Sequence, residues 1–257
     1  MSDKHGLFSI GEIAGAIGIT RRIILNYEDK GLIKPDFKES PTGNRYYSID
    51  TFTQIRTIRV FQNMGLSLDE IRDYFQDTTD LQPLIKRLEN MRDEINLNIE
   101  KLYERTNASK HKIFITTVSA QTVYGKVFRT PSLAQRSLLL RETAFEAMKK
   151  HGTDTTRRMY FTEYSLDDPD NLLYAVAVYP QSTGENILHI PCFDAVSLYH
   201  HGPYEDIPQA RERLLAYAAQ NRLTLSGRCR HLYVEGPPQH KDSSKFITQI
   251  LLPIVKA

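Results

Sequence analysis

Ser9-Ile10-Gly11-Glu12-Ile13-Ala14-Gly15-Ala16-Ile17-Gly18-Ile19-Thr20-Arg21-Arg22-Ile23-Ile24-Leu25-Asn26-Tyr27 is the stretch on which the fold turns. Ser9 and Glu12 stand three apart ahead of an apolar run, so the serine oxygen can accept from the Glu12 amide while the glutamate reaches back to the Ser9 amide, a capping box that starts a helix. Ile10, Ile13, Ala14 and Ile17 then recur at helical spacing, and Gly18 ends the run. Thr20 caps a second helix with Ile23, Ile24 and Tyr27 on one side, and Gly31 closes it. Two short helices about a glycine turn make a helix-turn-helix unit, or an ordinary helical hairpin if the rest of the chain gives them no further role.

Working outward, Lys34 to Tyr47 carries Pro35, Pro41, Gly43 and Asn44 before the aromatic pair Tyr46 and Tyr47, which reads as a hairpin wing. Phe52, Ile55, Ile58 and Phe61 mark a third helix that stops near Gly65. Ser67-Leu68-Asp69-Glu70 is a second capping box, opening a fourth helix around Ile71, Tyr74 and Phe75. From Leu81 the period becomes seven: Leu81, Leu88, Ile95 and Leu102 recur, with Leu84 and Met91 at the second seam position and Asn98 where the next should fall. That is a coiled-coil seam needing a partner helix, since the charged flanks leave one stripe to bury. The alternative is a long helix packed on its own domain.

Beyond Lys110, residues 113–118 and 122–130 read as strands, 132–151 as a helix, and 158–164 and 172–179 as strands. The order then recurs: strand 193–200, helix 206–221 capped by Asp206, strands 228–233 and 246–255. The expected fold is α+β: an N-terminal winged helix-turn-helix over residues 1–78, a coiled-coil dimerisation helix over 79–110, and tandem strand-helix-strand-strand units over 111–257.

The length of 257 residues suits about two domains. With 40% hydrophobic and 25% charged residues, disordered and fibrous classes are excluded. No apolar run approaches the roughly 18 to 20 residues that span a bilayer and no signal-peptide pattern opens the chain, so the expectation is a cytoplasmic protein without a membrane partner. Two cysteines, Cys192 and Cys229, cannot make a disulfide framework or a four-thiolate zinc or iron-sulfur site; they read as small buried or half-buried side chains. Adjacent His200 and His201 on a strand point to opposite faces, so no metal site and no cofactor is expected. A net charge of +2 leaves no global basic footprint, and residues 20–47 hold six cations against four acids, so any nucleic-acid reading rests on placement. Thr20, Arg21 and Arg22 lie at the amino end of the second helix, the end that approaches base edges, and Arg45 with Tyr46 on the wing suits backbone phosphates.

Several dispersed motifs now resemble one family. Phe8-Ser9-Ile10-Gly11-Glu12-Ile13-Ala14, Tyr27-Glu28 with Gly31-Leu32, Gly43-Asn44-Arg45-Tyr46-Tyr47 and Met64-Gly65-Leu66-Ser67-Leu68-Asp69-Glu70-Ile71 resemble the winged-helix DNA-binding region of the MerR family. Ile24-Leu25-Asn26-Tyr27 stands where that family has Leu-Arg-Tyr-Tyr. The second half is similar to the GyrI-like effector domain in His201-Gly202-Pro203-Tyr204-Glu205, Leu232-Tyr233 and Leu252-Pro253-Ile254. The resemblance implies a homodimer on double-stranded promoter DNA, through contacts from Thr20, Arg21, Arg22, Tyr27, Lys34, Arg45 and Tyr46. It also implies a lipophilic, often cationic, aromatic effector, whose binding bends and untwists an overlong promoter spacer for RNA polymerase.

For the effector, the tyrosines at 160, 164, 174, 179, 199, 204 and 233 offer aromatic faces for flat rings or cations, although for each one a core role is the simpler reading. The expected ligand contacts are Phe161, Glu163, Tyr174, Tyr233 and Gln249. The resemblance places Gln249 where relatives supply a glutamate. A carboxylate about 4 Å from a cation gains up to about 4 kcal/mol at an effective dielectric near 20, which an amide does not. A neutral or weakly cationic effector, or an acid moved to Glu163, is therefore expected. Two other classes compete. One is a GyrI-like small-molecule hydrolase fused to a DNA-binding domain, with Glu163 as general base, though no triad, phosphate loop or metal motif supports it. The other is an architectural dimer whose second domain binds a protein.

Overall fold

In a computed structural model, residues 6–40, 43–77, 80–106, 112–130 and 132–255 are described. The chain divides into two compact units, 1–89 and 90–257, and the division falls inside one long helix.

In the first unit, β1 (Phe8–Ser9) leads into α1 (Ile10–Ile17) and α2 (Arg21–Asp29), and a hairpin of β2 (Phe37–Lys38) and β3 (Arg45–Tyr47) leads into α3 (Ile49–Asn63) and α4 (Leu68–Phe75). The local signals act as the residue chemistry dictates. Ser9 and Glu12 make both halves of a capping box, as do Ser67 and Glu70. Gly18, Gly31 and Gly65 take φ of 73°, 70° and 83°, left-handed values that a side chain would strain. Thr20 stands at the N-cap of α2, but its side chain makes no capping bond. The three strands order as β1-β3-β2. Ile13, Ile24, Tyr27, Leu32, Tyr47, Ile55, Ile58 and Ile71 form the core of this unit. The wing is tied down from behind, because Asp36 accepts from the Ser48 amide at 2.8 Å and the Thr51 hydroxyl at 2.9 Å. Pro41 lies outside the described residues.

The long helix α5 (Gln82–Thr106) has no buried residue. Its expected continuation to Lys110 lies outside the described residues. Leu81, Ile85, Ile95, Ile99 and Leu102 are exposed, while Leu84 packs against the core of the first unit.

The second unit holds β4 (Phe114–Val118), β5 (Gln121–Arg129), α6 (Leu133–His151), β6 (Tyr160–Ser165), β7 (Asp168–Ala177), β8 (Ile187–Ile190), β9 (Phe193–His201), α7 (Ile207–Gln220), β10 (Arg228–Glu235) and β11 (Ile247–Pro253). Asp206 closes a 3-10 turn ahead of α7 and makes no side-chain cap. The strands form one antiparallel sheet ordered β4-β9-β11-β10-β6-β7-β5-β8. Its centre shows the repeat, since β9-β11-β10 and β6-β7-β5 are the two strand-helix-strand-strand units joined at β10 and β6.

That order forces curvature. Only residues 119–120 separate β4 from β5, and 191–192 separate β8 from β9. A two-residue link reaches about 10 Å, whereas six strand spacings in a flat sheet are about 29 Å. The sheet therefore curls until its edges approach. Its inner face is filled by Val123, Phe161, Ala175, Ala195, Leu232 and Leu251, with Val118 and Ile190 from the two edges packed against them. On the outer face lie α7, through Ile207, Ala210, Leu214 and Ala218, and α6, through Ala147. Cys229 is buried and Cys192 is exposed, against the expectation that both are at least half buried.

Candidate functional sites: a winged helix-turn-helix face and a cavity over the sheet

In the first unit Thr20, Arg21, Arg22 and Lys34 are exposed. Arg21 lines a groove of about 360 Å³ with Leu25 of α2 and Ser40, Asn44 and Arg45 of the wing. Glu28 organises that wing: it accepts from Arg45 Nε at 3.0 Å and from the Tyr47 hydroxyl, and Lys38 Nζ is 3.8 Å away. One carboxylate at 9% side-chain exposure thus fixes Arg45, which lines the groove. Tyr46 donates to Glu39 at 3.0 Å. Tyr27 needs correcting as a contact residue, since it is fully buried and donates to Gln62 at 2.5 Å. It anchors α2 rather than reaching out from it.

The second unit holds a cavity of about 870 Å³ over the middle of the sheet, between α6 and α7. Tyr164, His231 and Tyr233 come from the strands, Arg136, Leu140 and Phe145 from α6, Ile207 and Arg211 from α7, and Leu97 and Lys101 from α5. Tyr204, just before α7, meets Tyr233 edge to face at 5.5 Å and Phe246 at 5.2 Å. Gly236 is needed beside it, because a Cβ there would lie 2.5 Å from the Tyr204 hydroxyl oxygen.

Of the five expected ligand contacts, only Tyr233 lines this cavity. The reason is strand parity. Residues paired across an antiparallel ladder share a face, and neighbours along a strand alternate. Phe161, Leu232, Gln249 and Tyr199 form one cross-strand row, and Glu163, Arg230, Leu251 and Ser197 form another; both face the inside of the curl. The row between them, Thr162, His231, Ile250 and Leu198, faces the helices. Glu163 is therefore no ligand acid. Arg228 Nη1 donates to it at 2.8 Å and Arg230 Nε at 2.8 Å, and the Arg230 guanidinium lies between the rings of Phe161 at 4.2 Å and Phe193 at 4.8 Å. Gln249 donates to the Ser197 hydroxyl at 3.1 Å in the same interior. Tyr174 is on the helix face but fully buried in the core, edge to face with Phe128.

A polar chain crosses the cavity floor. Arg211 Nη1 donates to the Tyr164 hydroxyl at 3.2 Å, and that hydroxyl lies 3.3 Å from His231 Nε2, with the Cys229 sulfur 3.4 Å from the same nitrogen. Burial, then the nearby Arg211 and Arg136, hold the imidazole down to about 3, so it is neutral. Burial also pushes the Cys229 thiol up to about 12 and the Tyr233 phenol up to about 12. Glu235, also lining the cavity, is pushed up by burial, but bonds from Arg105 and His240 outweigh this and hold it below the usual carboxylate range. Neither His200 nor His201 shares a ligand set: His200 Nε2 bonds the Pro203 carbonyl at 2.9 Å, and His201 is 3.6 Å from Glu104. Among the described residues no cluster of three or more His, Cys, Asp or Glu could hold a metal ion.

The neutral His231 has a stability consequence. Its pKa is near 6.5 in the unfolded chain and about 3 in the fold, so the unfolded state binds more protons between those values and stability falls with pH there. From pH 7 to 5 the expected loss is about 2 kcal/mol. Urea unfolding of the wild type and His231→Gln at pH 7 and pH 5 checks this: the variant should lose less by about that amount, and equal losses would clear the imidazole.

Sequence reading missed Arg136, Arg211 and His231. The available signals were the i, i+4 spacing of Arg136 and Leu140, the i, i+4 spacing of Ile207 and Arg211, and the i, i+2 spacing of His231 and Tyr233, each of which needs the opposite element to mean anything.

Comparison with known proteins agrees with this geometry. The family profile described as MerR HTH family regulatory protein matches residues 8–78, and that of the GyrI-like small molecule binding domain matches residues 86–255, well over half of the chain. The chain is 24% identical over 167 residues to the multidrug-efflux transporter 2 regulator of Bacillus subtilis, covering 65% of this chain and 60% of that protein. It is 30% identical over 115 residues to nodulation protein NolA of Bradyrhizobium elkanii, covering 43% of this chain and 52% of that protein. Less than two thirds of each relative's length is thus spanned. Among solved structures, EcmrR in its DNA complex superposes with a TM-score of 0.51 at 22% identity, covering 97% of this chain and 100% of that one, a likeness of fold. The chain belongs to the family of the GyrI-like small molecule binding domain and carries a MerR-type helix-turn-helix domain ahead of it.

Proposed function

We propose that the chain is a cytoplasmic, homodimeric transcription regulator that binds promoter DNA through its winged helix-turn-helix and activates the promoter when a lipophilic aromatic molecule enters the cavity of the second unit. Ligand binding would bend and untwist the spacer so that RNA polymerase engages both promoter elements. The observation that carries this reading is the 870 Å³ cavity lined by Tyr164, Tyr204 and Tyr233 in the same chain as an exposed Thr20-Arg21-Arg22 helix end. Pairing of two α5 helices through the exposed stripe of Ile85, Ile95, Ile99 and Leu102 would supply the dimer. No helix among the described residues is long and apolar enough to cross a membrane.

The test joins the two halves. An aromatic library is screened by thermal shift, where a ligand at 100 times its dissociation constant adds about 2.7 kcal/mol of stability. Hits are then tested for run-off transcription from an operator selected in vitro. A ligand that stabilises the chain and raises transcription is expected; failure to select any operator would remove the regulator reading.

The DNA contacts proposed are Thr20, Arg21, Arg22, Lys34, Arg45 and Tyr46. With Nε held by Glu28, Arg45 is oriented as a phosphate contact. Arg45→Ala should weaken all DNA sequences alike and reduce the slope of log K against log salt by about 1. An unchanged slope in filter binding would count against that role.

The hydrolase reading loses its candidate base, because Glu163 is engaged by two arginines on the face away from the cavity.

A further inference from the structure

We propose, given that this cavity is the effector site, that it takes an anionic aromatic ligand, a carboxylate or similar oxyanion on a flat apolar body, anchored by Arg211 and drawn in by Arg141. The lining carboxylates are either engaged or at the surface. Glu235 meets Lys101 at 3.4 Å, His240 at 2.9 Å and Arg105, and Asp170 meets Arg136 at 3.1 Å. Glu94 and Glu205 are exposed, where water screens them. The strands contribute Tyr164, His231 and Tyr233 to the floor, and their two acids, Asp170 and Glu235, are the ones already paired.

The cations are less well matched. Arg211 gives Nη1 to Tyr164 at 3.2 Å and Nη2 to Glu212 at 3.3 Å, a carboxylate with 64% side-chain exposure, but its Nε is buried with no hydrogen-bond partner. Arg141 makes no hydrogen bond or ion pair among the described residues. With Nε sealed from the cavity, what Arg211 has left to offer is its charge, shared only with a neutral phenol and an exposed carboxylate, which an oxyanion at the Nη edge takes up in a charge-assisted bond. A cation entering the same space would lose its water and find a guanidinium instead of a carboxylate. The edge-to-face pair of Tyr204 and Tyr233 offers the apolar body its ring surface. Selectivity thus comes from charge at one end of the ligand and from shape at the other.

Calorimetry on the full chain with pyrene-1-carboxylate, 1-pyrenemethanol and 1-pyrenemethylammonium separates the possibilities, since the three differ in charge and little in shape. The carboxylate should bind at least about tenfold tighter than the ammonium probe, and Arg211→Gln should remove about tenfold of carboxylate affinity while leaving the alcohol within about threefold. Arg141→Gln, at an exposed position, should cost the carboxylate about threefold and flatten its salt dependence. That variant keeps the test decisive should Arg211→Gln fail to fold. If the ammonium probe binds as tightly as the carboxylate, or if Arg141→Gln and a folded Arg211→Gln bind the carboxylate as the wild type does, the anionic assignment falls while the effector cavity stands. If none of the three probes binds, the effector reading of the cavity falls, and this assignment with it.

Discussion

Glu163→Gln is expected to lower the unfolding free energy by about 3–5 kcal/mol, because it leaves a buried guanidinium without its counter-charge. Arg230 is only 2% exposed, with Glu163 on one edge and the rings of Phe161 and Phe193 on its faces. Burial already pulls the Arg230 guanidinium below its ordinary pKa, and Glu163 is the group that opposes this. Arg228 cannot substitute, being a cation at 64% side-chain exposure that shares the same carboxylate. The charge would stay in the interior with at most a neutral amide oxygen facing Nε and Nη2, and Nη1 has no partner even in the wild type. Replacing both partners, as in Glu163→Gln with Arg230→Met, should recover much of the loss, since the charge goes with its counter-ion. Urea unfolding of the wild type and the two variants measures both effects. Ligand affinity of whatever Glu163→Gln remains folded should be unchanged, because the residue faces away from the cavity. A variant of wild-type stability with weakened ligand binding would reverse that assignment.

The second large effect is expected at α5. Ile95 and Leu102 are 53% and 60% exposed, so aspartate at both positions should leave each unit folded. In the proposed pair of α5 helices the same substitutions bury four unpaired carboxylates, at a cost of several kcal/mol in total, on the order of 4 or more. Sedimentation should show a monomer, and affinity for a pseudo-palindromic operator should fall by about 100-fold or more as one half-site is lost. Leu84→Asp should behave differently. Leu84 packs on the core with Ile55, Ile58 and Ile71, so its loss should appear as lower stability of the first unit. A dimer that survives both aspartates would move the interface off this stripe.

The helices of the first unit are legible because their signals are local. A capping box needs only Ser9 and Glu12, or Ser67 and Glu70, three residues apart, and Gly18, Gly31 and Gly65 end helices through their own φ. The order of strands and helices in the second unit is legible for the same reason, as alternation and helical spacing are read within one segment. The four-residue edge strand β8 is not, since it is held by pairing with β5 alone and carries exposed His189 among its apolar residues. The face of α5 left uncovered is also undetermined by period. Leu84 and Ile85 are neighbours in sequence, and only the core beneath turns one inward and leaves the other exposed.

The kind and order of elements, and with them the two halves of the protein, therefore follow from local signals along the chain. Which residues meet in the cavity was decided by tertiary structure. A strand has a period of two, so placing Glu163, Phe161 and Gln249 at the ligand required knowing which alternate set faces the helices, and that follows from cross-strand register and from the curl of the sheet. Both depend on contacts between segments tens of residues apart, such as Glu163 with Arg230 and Gln249 with Ser197, whose energies no local window contains.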